Sequence, residues 1–442
     1  MTRRRILIAL LLIGVVLRLA ALGLRPQGAI YAAPDEDEYL QIAQSVARGE
    51  GFALHGETTA YRDMLLPVVT AALIKLLGDS PLPMLLLNVL LSAATGLLLF
   101  DLGRRHFEER VALLMAAVWL LYPTAIIFSA MLFTETLFVF LWVLALWLYD
   151  RLDDQGYRLL DALALGVVSG LVMLTRAVGV VVPASLVVYI VLIRFERPAR
   201  VRLRAALVLG AACLLVVLPR MVRNHFAVGR FALNTNGGIN MYIGNNPRAN
   251  GSYLFDADHE RLLPPAEAGE AARDRAATAL ALRFVREHPR EAVRLWGRKF
   301  AYFWATDMTQ WIHYFWEPSG PPSVSKRLRA MPVFRLALLA VPYMLIVLLG
   351  VSGFYLVRHF PARGLLLLQI FLLLLACFVT FGTPRYRYPV MPALIIAAGA
   401  LWRPHVWVSA PPWRRLFLLL TLGMFLGIWL LEIMTIAGVQ SR

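Results

Sequence analysis

A series of long apolar runs constrains this chain more than any other feature. They fall at residues 6–24, 64–78, 84–101, 111–130, 132–149, 160–174, 177–194, 205–222, 333–357, 364–381, 388–402 and 415–437. Most have about 15–25 residues, close to the length a helix needs to cross a hydrocarbon core about 30 Å thick. Hydrophobic residues make up 59% of the chain, against about 45–50% in soluble domains. The pattern predicts an all-α polytopic membrane protein.

The charges between the runs predict its topology. Basic residues collect in cytoplasmic loops. If segment 64–78 does not cross, Arg3 to Arg5, Arg104, Arg105, Arg110, the loop from Arg194 to Arg204, Arg358, Arg363, Arg403, Arg414 and Arg415 all lie on one side. If it crosses, every later loop inverts. Segment 64–78 is short and holds Pro67 and Lys75, so it is expected to lie at the outer interface. The expectation is about eleven spans, with the N-terminus cytoplasmic and the C-terminus outside. Thr2 to Arg5 followed by an apolar run is signal-like, but Arg18 interrupts the run and no small-residue cleavage pattern precedes Arg25. It reads as an uncleaved first span.

The formal net charge of +16 belongs largely to those loops, so no nucleic-acid partner is expected. Cys213 and Cys377 both fall inside apolar runs, which argues against a disulfide framework or a metal-ligand pair. The chain divides into a transmembrane module at 1–222, an outer loop domain at 223–332 and C-terminal transmembrane helices at 333–442. The first module includes an outer loop with juxtamembrane helices at 25–83. Within the outer domain, Ala266 to Glu287 and Glu291 to Trp304 read as helices restarted at Pro289. Tyr302, Phe303, Trp304, Trp311, Tyr314, Phe315 and Trp316 read as an interfacial aromatic belt.

The residues that could carry chemistry lie at the outer ends of the runs. Asp35, Glu36, Asp37 and Glu38 follow the first span, and Tyr39, Ile42, Ala43 and Val46 recur at helical spacing after them. Asp35 could be a general base, or it could cap the helix with Glu38 completing a capping box. Arg62 could hold a phosphate or anchor at the interface. Glu135 sits where a carboxylate would face a polar cavity or an exposed turn. Arg176 lies in an outer turn that topology does not require to be positive. It therefore needs a partner such as Glu135, Asp35 or a ligand phosphate. Arg385, Tyr386 and Arg387 could bind a phosphate near the headgroups or form an anchor. There is no phosphate-cradling glycine loop, zinc-binding histidine pair or serine nucleophile elbow.

Taken together these residues resemble the GT-C glycosyltransferases. The likeness is to the branch with protein O-mannosyltransferases, lipid A aminoarabinose transferases and related bacterial enzymes. It rests on Asp35 and Glu36 after the first span, Tyr39 and Ala43 in the next helix, and Arg62 to Pro67. Thr134 with Glu135, Leu174 to Arg176, and Arg385 and Tyr386 before Pro389 and Pro392 complete it. The chain departs from the family pattern at Arg62, Asp63 and Met64, where members often carry Arg-x-Pro or Lys-Pro-Pro.

The resemblance implies a GT-C-like bundle in a bacterial plasma (inner) membrane, with its active site facing outward. It implies an inverting glycosyltransferase that moves a sugar from a polyprenyl-phosphate donor to a hydroxyl of a lipid, glycan or protein acceptor. Asp35 would be the base. Glu36 or Glu135 would orient the acceptor or, with Asp35, help hold a divalent cation. Tyr39, Arg62, Glu135, Arg176, Arg385, Tyr386 and Arg387 would contact substrate, with arginine on the phosphate. The main alternative is a transporter or flippase for a lipid-linked precursor, which should carry polar residues near the bilayer midplane and in repeats. A second is a membrane scaffold whose outer domain binds a partner.

Overall fold

The computed structural model describes residues 2–25, 34–254, 257–315, 324–360, 362–402 and 410–438. Trp316 and Arg403, used above in the belt and the charge count, lie outside the described residues. Each apolar run forms one helix or a pair of them. The first helix, α1 (Arg3–Leu24), is followed by a short amphipathic one, α2 (Pro34–Ala47). A two-residue hairpin joins β1 (Ala53–Leu54) to β2 (Glu57–Thr58) through His55 and Gly56, both at positive φ. That is the backbone twist a tight antiparallel hairpin needs.

Next come α3 (Leu65–Leu77), α4 (Leu82–His106), α5 (Glu109–Leu120) and α6 (Pro123–Ser129). Helix α3 has thirteen residues, about 20 Å at 1.5 Å per residue, too short to cross upright. It packs on α2 through Ala43, Ala71 and Ile74. Between α5 and α6 the chain bends by 53° ahead of Pro123, whose ring cannot continue a helix. The bend frees backbone carbonyls, and Arg18 of α1 meets them. Arg18 is fully buried and donates to Leu120 O at 2.7 Å, Gly14 O at 2.9 Å and Ser92 Oγ at 2.9 Å. An arginine at membrane depth is costly unless its donors are satisfied. Here it locks the bend.

The centre of the bundle is α7 (Thr134–Asp154), buried along most of its length. Around it stand α8 (Leu159–Thr175), α9 (Val181–Leu192) and α10 (Ala199–Val228). Helices α8 and α10 touch at Gly166 and Gly170, where a Cβ would collide with Leu209 O and Val216. Small residues of this kind let membrane helices approach closely.

After α10 come α11 (Gly237–Gly244), α12 (Ala257–Arg261), α13 (Glu270–Glu287), α14 (Pro289–Phe303), α15 (Gln310–Tyr314) and α16 (Val324–Arg329). Pro289 restarts the chain as α14, as its missing N–H and fixed φ favour at a first helical position. Buried Asp274 of α13 accepts from the N–H groups of Gly238 and Ile239 at the start of α11 and pairs with Arg230 at 2.5 Å. A carboxylate there complements the helix dipole. Helix α10 runs through residue 222, and Phe303, Trp304, Trp311 and Tyr314 are buried in the main core. These four rings are therefore not an interfacial belt. They pack where the segment re-enters the bundle, with Trp304 against Phe425 and Tyr343 donating to Trp304 O.

The chain ends with α17 (Val333–Leu356), α18 (Arg363–Val379), α19 (Pro384–Arg387), α20 (Met391–Ala400) and α21 (Pro412–Ala437). Five described helices are long and apolar enough to cross a membrane, or six if α5 and α6 form one broken span. Four further apolar helices or helix pairs are shorter, among them α3, α8 and α18, and α7 is 21 residues long but carries charges at both ends. About eleven spans thus stays an expectation from the charge pattern, while a helical, multi-pass membrane bundle is what the molecule is.

Candidate functional site: an arginine–carboxylate chain at one end of the bundle

Six charged side chains from five separated segments meet where α7 and α20 begin and α8 and α18 end. Asp35 and Glu38 lie in the first turns of α2, and Arg62 is in the loop before α3. Glu135 is in the first turn of α7, Arg176 follows α8, and Arg385 is in α19. Arg62 Nη2 donates to Asp35 Oδ1 at 2.7 Å, and Arg385 Nη1 donates to Asp35 Oδ2 at 2.8 Å. Arg385 Nε and Arg176 Nη1 both donate to Glu135 Oε1, at 2.8 and 2.7 Å. Arg62 Nε also donates to Glu38 Oε2 at 2.5 Å. The order is Glu38, Arg62, Asp35, Arg385, Glu135, Arg176, with alternating sign throughout. Its side chains are 16–27% exposed, apart from Glu135 at 1%.

Aromatic rings fix the guanidiniums. Arg385 lies 4.3 Å from the centre of the Phe133 ring, and Arg176 lies between Tyr386 at 5.6 Å and Phe138 at 5.8 Å. Arg62 sits over Tyr39 at 5.5 Å and Tyr61 at 5.2 Å. Such contacts hold a cation in place without neutralising it. The chain joins residues as far apart as Asp35 and Arg385, 350 positions along the sequence.

The electrostatics follow from this packing. Burial alone would raise the Asp35 carboxyl, but Arg62 and Arg385 outweigh it and hold it below the usual carboxylate range. Three guanidiniums face three carboxylates, so the group is neutral overall. His313 of α15 lies beside them, edge-on to Phe133 at 5.8 Å. Burial, with Arg385 adding to it against Asp35 and Glu135, pushes the imidazole down to about 4. Sequence reasoning missed His313. The signal available was one titratable ring inside the run from Trp311 to Phe315.

Two of the expected site residues lie elsewhere. Glu36 is fully buried on another face of α2, where both of its oxygens accept from Arg25 and one accepts from the N–H of Leu132 at 2.7 Å. It ties α2 to the stretch that leads into α7. Successive helical positions differ by 100°, so Asp35 and Glu36 meet different partners on different faces of α2. Arg387 is fully buried too. It pairs with Asp307, donates to Phe303 O and Tyr343 Oη at 2.8 Å, and lies 3.8 Å from the Tyr343 ring centre. Two positions from Arg385 on a helix, it points to the opposite side. Tyr39 and Tyr386 belong to the site as the walls beside Arg62 and Arg176.

Capping does not explain Asp35. Helix α2 already includes Pro34, so Asp35 lies inside its first turn, and both Asp35 oxygens and Glu38 are taken by arginines. A divalent cation does not suit this donor set either. Guanidiniums stand between Asp35 and Glu135, Glu36 is turned away, and no group of three or more His, Cys, Asp or Glu among the described residues could hold a metal ion.

Residues 64–222 match the family model of dolichyl-phosphate-mannose-protein mannosyltransferases. Among solved structures, the chain is similar to ArnT from Cupriavidus metallidurans, crystallised with undecaprenyl phosphate. Identity is 14%, the TM-score is 0.52, and the match covers 94% of this chain and 62% of that one. It is also similar to the oligosaccharyltransferase from Archaeoglobus fulgidus in its apo form, at 14% identity and a TM-score of 0.50, covering 95% of this chain and 54% of that one. The chain shares the overall fold of these two structures. It spans less than two thirds of the length of either structure. A search of curated proteins found no match. The family match takes in Glu135 and Arg176, while Asp35 and Arg385 lie on either side of it.

Proposed function

We propose that this protein is an inverting membrane glycosyltransferase. It takes a sugar from a polyprenyl-phosphate donor and places it on an acceptor hydroxyl of a lipid, glycan or protein. The observation that carries the reading is the alternating chain from Arg62 through Asp35, Arg385 and Glu135 to Arg176. The family match and the GT-C fold support it, and the ArnT structure was solved with undecaprenyl phosphate bound.

In this reading the donor phosphate approaches Arg385 and Arg176. A neutral cluster has no spare positive charge, so the phosphate must displace a carboxylate from an arginine. Asp35 is the exchangeable partner, because Glu135 is buried behind the arginines. Release from Arg385 raises the basicity of Asp35 and frees an oxygen. Asp35 then takes the proton of the acceptor hydroxyl as the acceptor oxygen attacks the anomeric carbon. The bond from that carbon to the phosphate oxygen breaks on the opposite face, which inverts the centre. The polyprenyl phosphate leaves with the electron pair and is stabilised by Arg385 and Arg176. Glu135 holds the two arginines at the correct spacing. Such an enzyme belongs in a bacterial inner membrane with the site outward, where a lipid-linked donor replaces a nucleotide sugar.

The test is incubation of the purified protein with a labelled polyprenyl-phosphate sugar. Release of polyprenyl phosphate, even slowly to water, is the expected result. No release with wild-type protein across donor sugars would defeat the reading. Cysteines replacing Glu57 and Asn250 should label from outside and one replacing Ala199 should not.

A further inference from the structure

Helix α14 has a face that the reaction does not use. Its buried side carries Ala292, Leu295, Lys299 and Phe303, with Lys299 donating to Asn245 Oδ1 at 2.9 Å and Phe378 O at 2.7 Å. That anchors the helix to the last turn of apolar α18. Opposite, Arg290, Arg294 and Arg298 recur every four residues and are exposed. None of the three has a carboxylate within 4 Å among the described residues. Three guanidiniums in one exposed stripe make a local positive field that attracts an anionic surface.

A second stripe identifies the partner. Val293 and Trp296 are 58% and 44% exposed and lie between the buried side and the arginines on the helical wheel. Trp296 stacks on Phe378 with ring centres 5.9 Å apart, one residue before α18 ends at Val379. The end of an apolar helix marks the boundary between hydrocarbon and headgroups, and tryptophan favours that level. An apolar stripe continuous with a span's end, flanked by arginines, has the composition of a helix lying at a membrane surface.

We propose that α14 is a lipid-contact helix. Val293 and Trp296 dip into the leaflet on the side of the ion-pair chain, and Arg290, Arg294 and Arg298 bind the phosphates of its anionic headgroups. This does not depend on the glycosyltransferase reading. It concerns where the segment between α10 and α17 rests, because α14 ties that segment to α18 beside α19, which carries Arg385.

The experiment uses the full chain carrying Val293→Cys, labelled with an environment-sensitive dye. The native thiols of Cys213 and Cys377 are buried, so the label goes to position 293. The protein is reconstituted in phosphatidylcholine vesicles with equal mole fractions of brominated phosphatidylcholine or brominated phosphatidylglycerol as quencher. The expected result is quenching by both lipids, several-fold stronger for phosphatidylglycerol, with the preference falling as salt is raised. Combining Arg290→Gln, Arg294→Gln and Arg298→Gln should abolish the preference while quenching by phosphatidylcholine persists. Thermal stability of each variant checks folding. Absence of quenching would show that the helix faces water or a soluble partner and would overturn the proposal. Equal quenching by the two lipids in the unsubstituted stripe would overturn the headgroup contact. Loss of the preference with millimolar inorganic phosphate, at constant ionic strength, would show a free-phosphate site instead of a lipid surface.

Discussion

Arginine meets carboxylate in two ways in this molecule. In the chain from Arg62 to Arg176, the guanidiniums bond mainly to carboxylates and ring faces, and most of the side chains stay partly exposed. In the pairs Arg387 with Asp307 and Arg25 with Glu36, the guanidiniums also donate to backbone carbonyls, and both partners are essentially inaccessible. Tyr122 and Thr124 of α6 add further bonds to Asp307. A partly exposed charge whose partners are side chains can exchange one anion for another. A charge enclosed by backbone carbonyls cannot, because removing any partner leaves a buried ion or dipole unpaired. The first arrangement suits binding and the second suits holding helices together.

The largest effect that could break this contrast is at Asp35. Asp35→Asn keeps the shape but cannot take a proton, so sugar transfer should fall by about 100- to 10,000-fold, far more than the loss of the ion pairs with Arg62 and Arg385 lowers thermal stability. Transfer is measured at matched amounts of folded protein, and wild-type activity would remove Asp35 as base. Next, Arg387→Met should cost about 3–5 kcal/mol of stability, because Asp307 is left charged and unpaired. Glu36→Gln should act in the same direction through Arg25. A thermal melt in lipid nanodiscs reads both, and a stable but inactive Arg387→Met would move that residue into the site.

Arg385→Lys comes third. A lysine keeps the charge but loses the fork that spans Asp35 and Glu135. Donor binding should weaken by about 1.5–3 kcal/mol, the range for a charged hydrogen bond, with a smaller loss of stability. Binding of polyprenyl phosphate to each variant decides this, and unchanged affinity would leave Arg385 as a purely structural partner of Asp35.

The last effect is that of pH on stability, spread over several pH units. His313 is held down to about 4 in the folded protein, against 6.5 for an ordinary histidine. Between those values the unfolded chain binds a proton that the folded one does not. Stability should therefore be complete above about pH 6.5 and decline as pH falls toward 4. Asp35 acts in the same direction at lower pH, since its folded carboxyl lies below its unfolded value near 3.9. His313→Gln should flatten the decline between pH 6.5 and 4 in a melting series, and an identical slope would place His313 outside the electrostatic group.

Much of the site was legible because charge is conspicuous in an apolar chain. Asp35, Arg62, Glu135, Arg176 and Arg385 each sit near the end of a run, and at Arg176 topology did not account for the positive charge. The partnership of Arg176 with Glu135 could be anticipated for the same reason. Glu36 and Arg387 were misplaced because proximity in sequence to Asp35 and Arg385 says nothing about helical phase. The rings from Phe303 to Tyr314 were read as a belt because aromatic residues favour interfaces and cores alike. Arg18 looked like an interruption in α1, and its function became visible only with the bend between α5 and α6, whose open carbonyls it fills.

The sequence by itself determined that this chain is a helical membrane bundle, where its apolar runs lie, and that conspicuous charges gather near their ends. Those properties depend on composition and on spacing within single segments. Only the tertiary structure decided which of two neighbouring charges joins the partly exposed ion-pair chain and which is sealed in the core. That choice depends on the rotation of α2 and α19 about their own axes. The rotation is set by packing against residues far away in sequence, such as Leu132 for Glu36 and Tyr343 for Arg387.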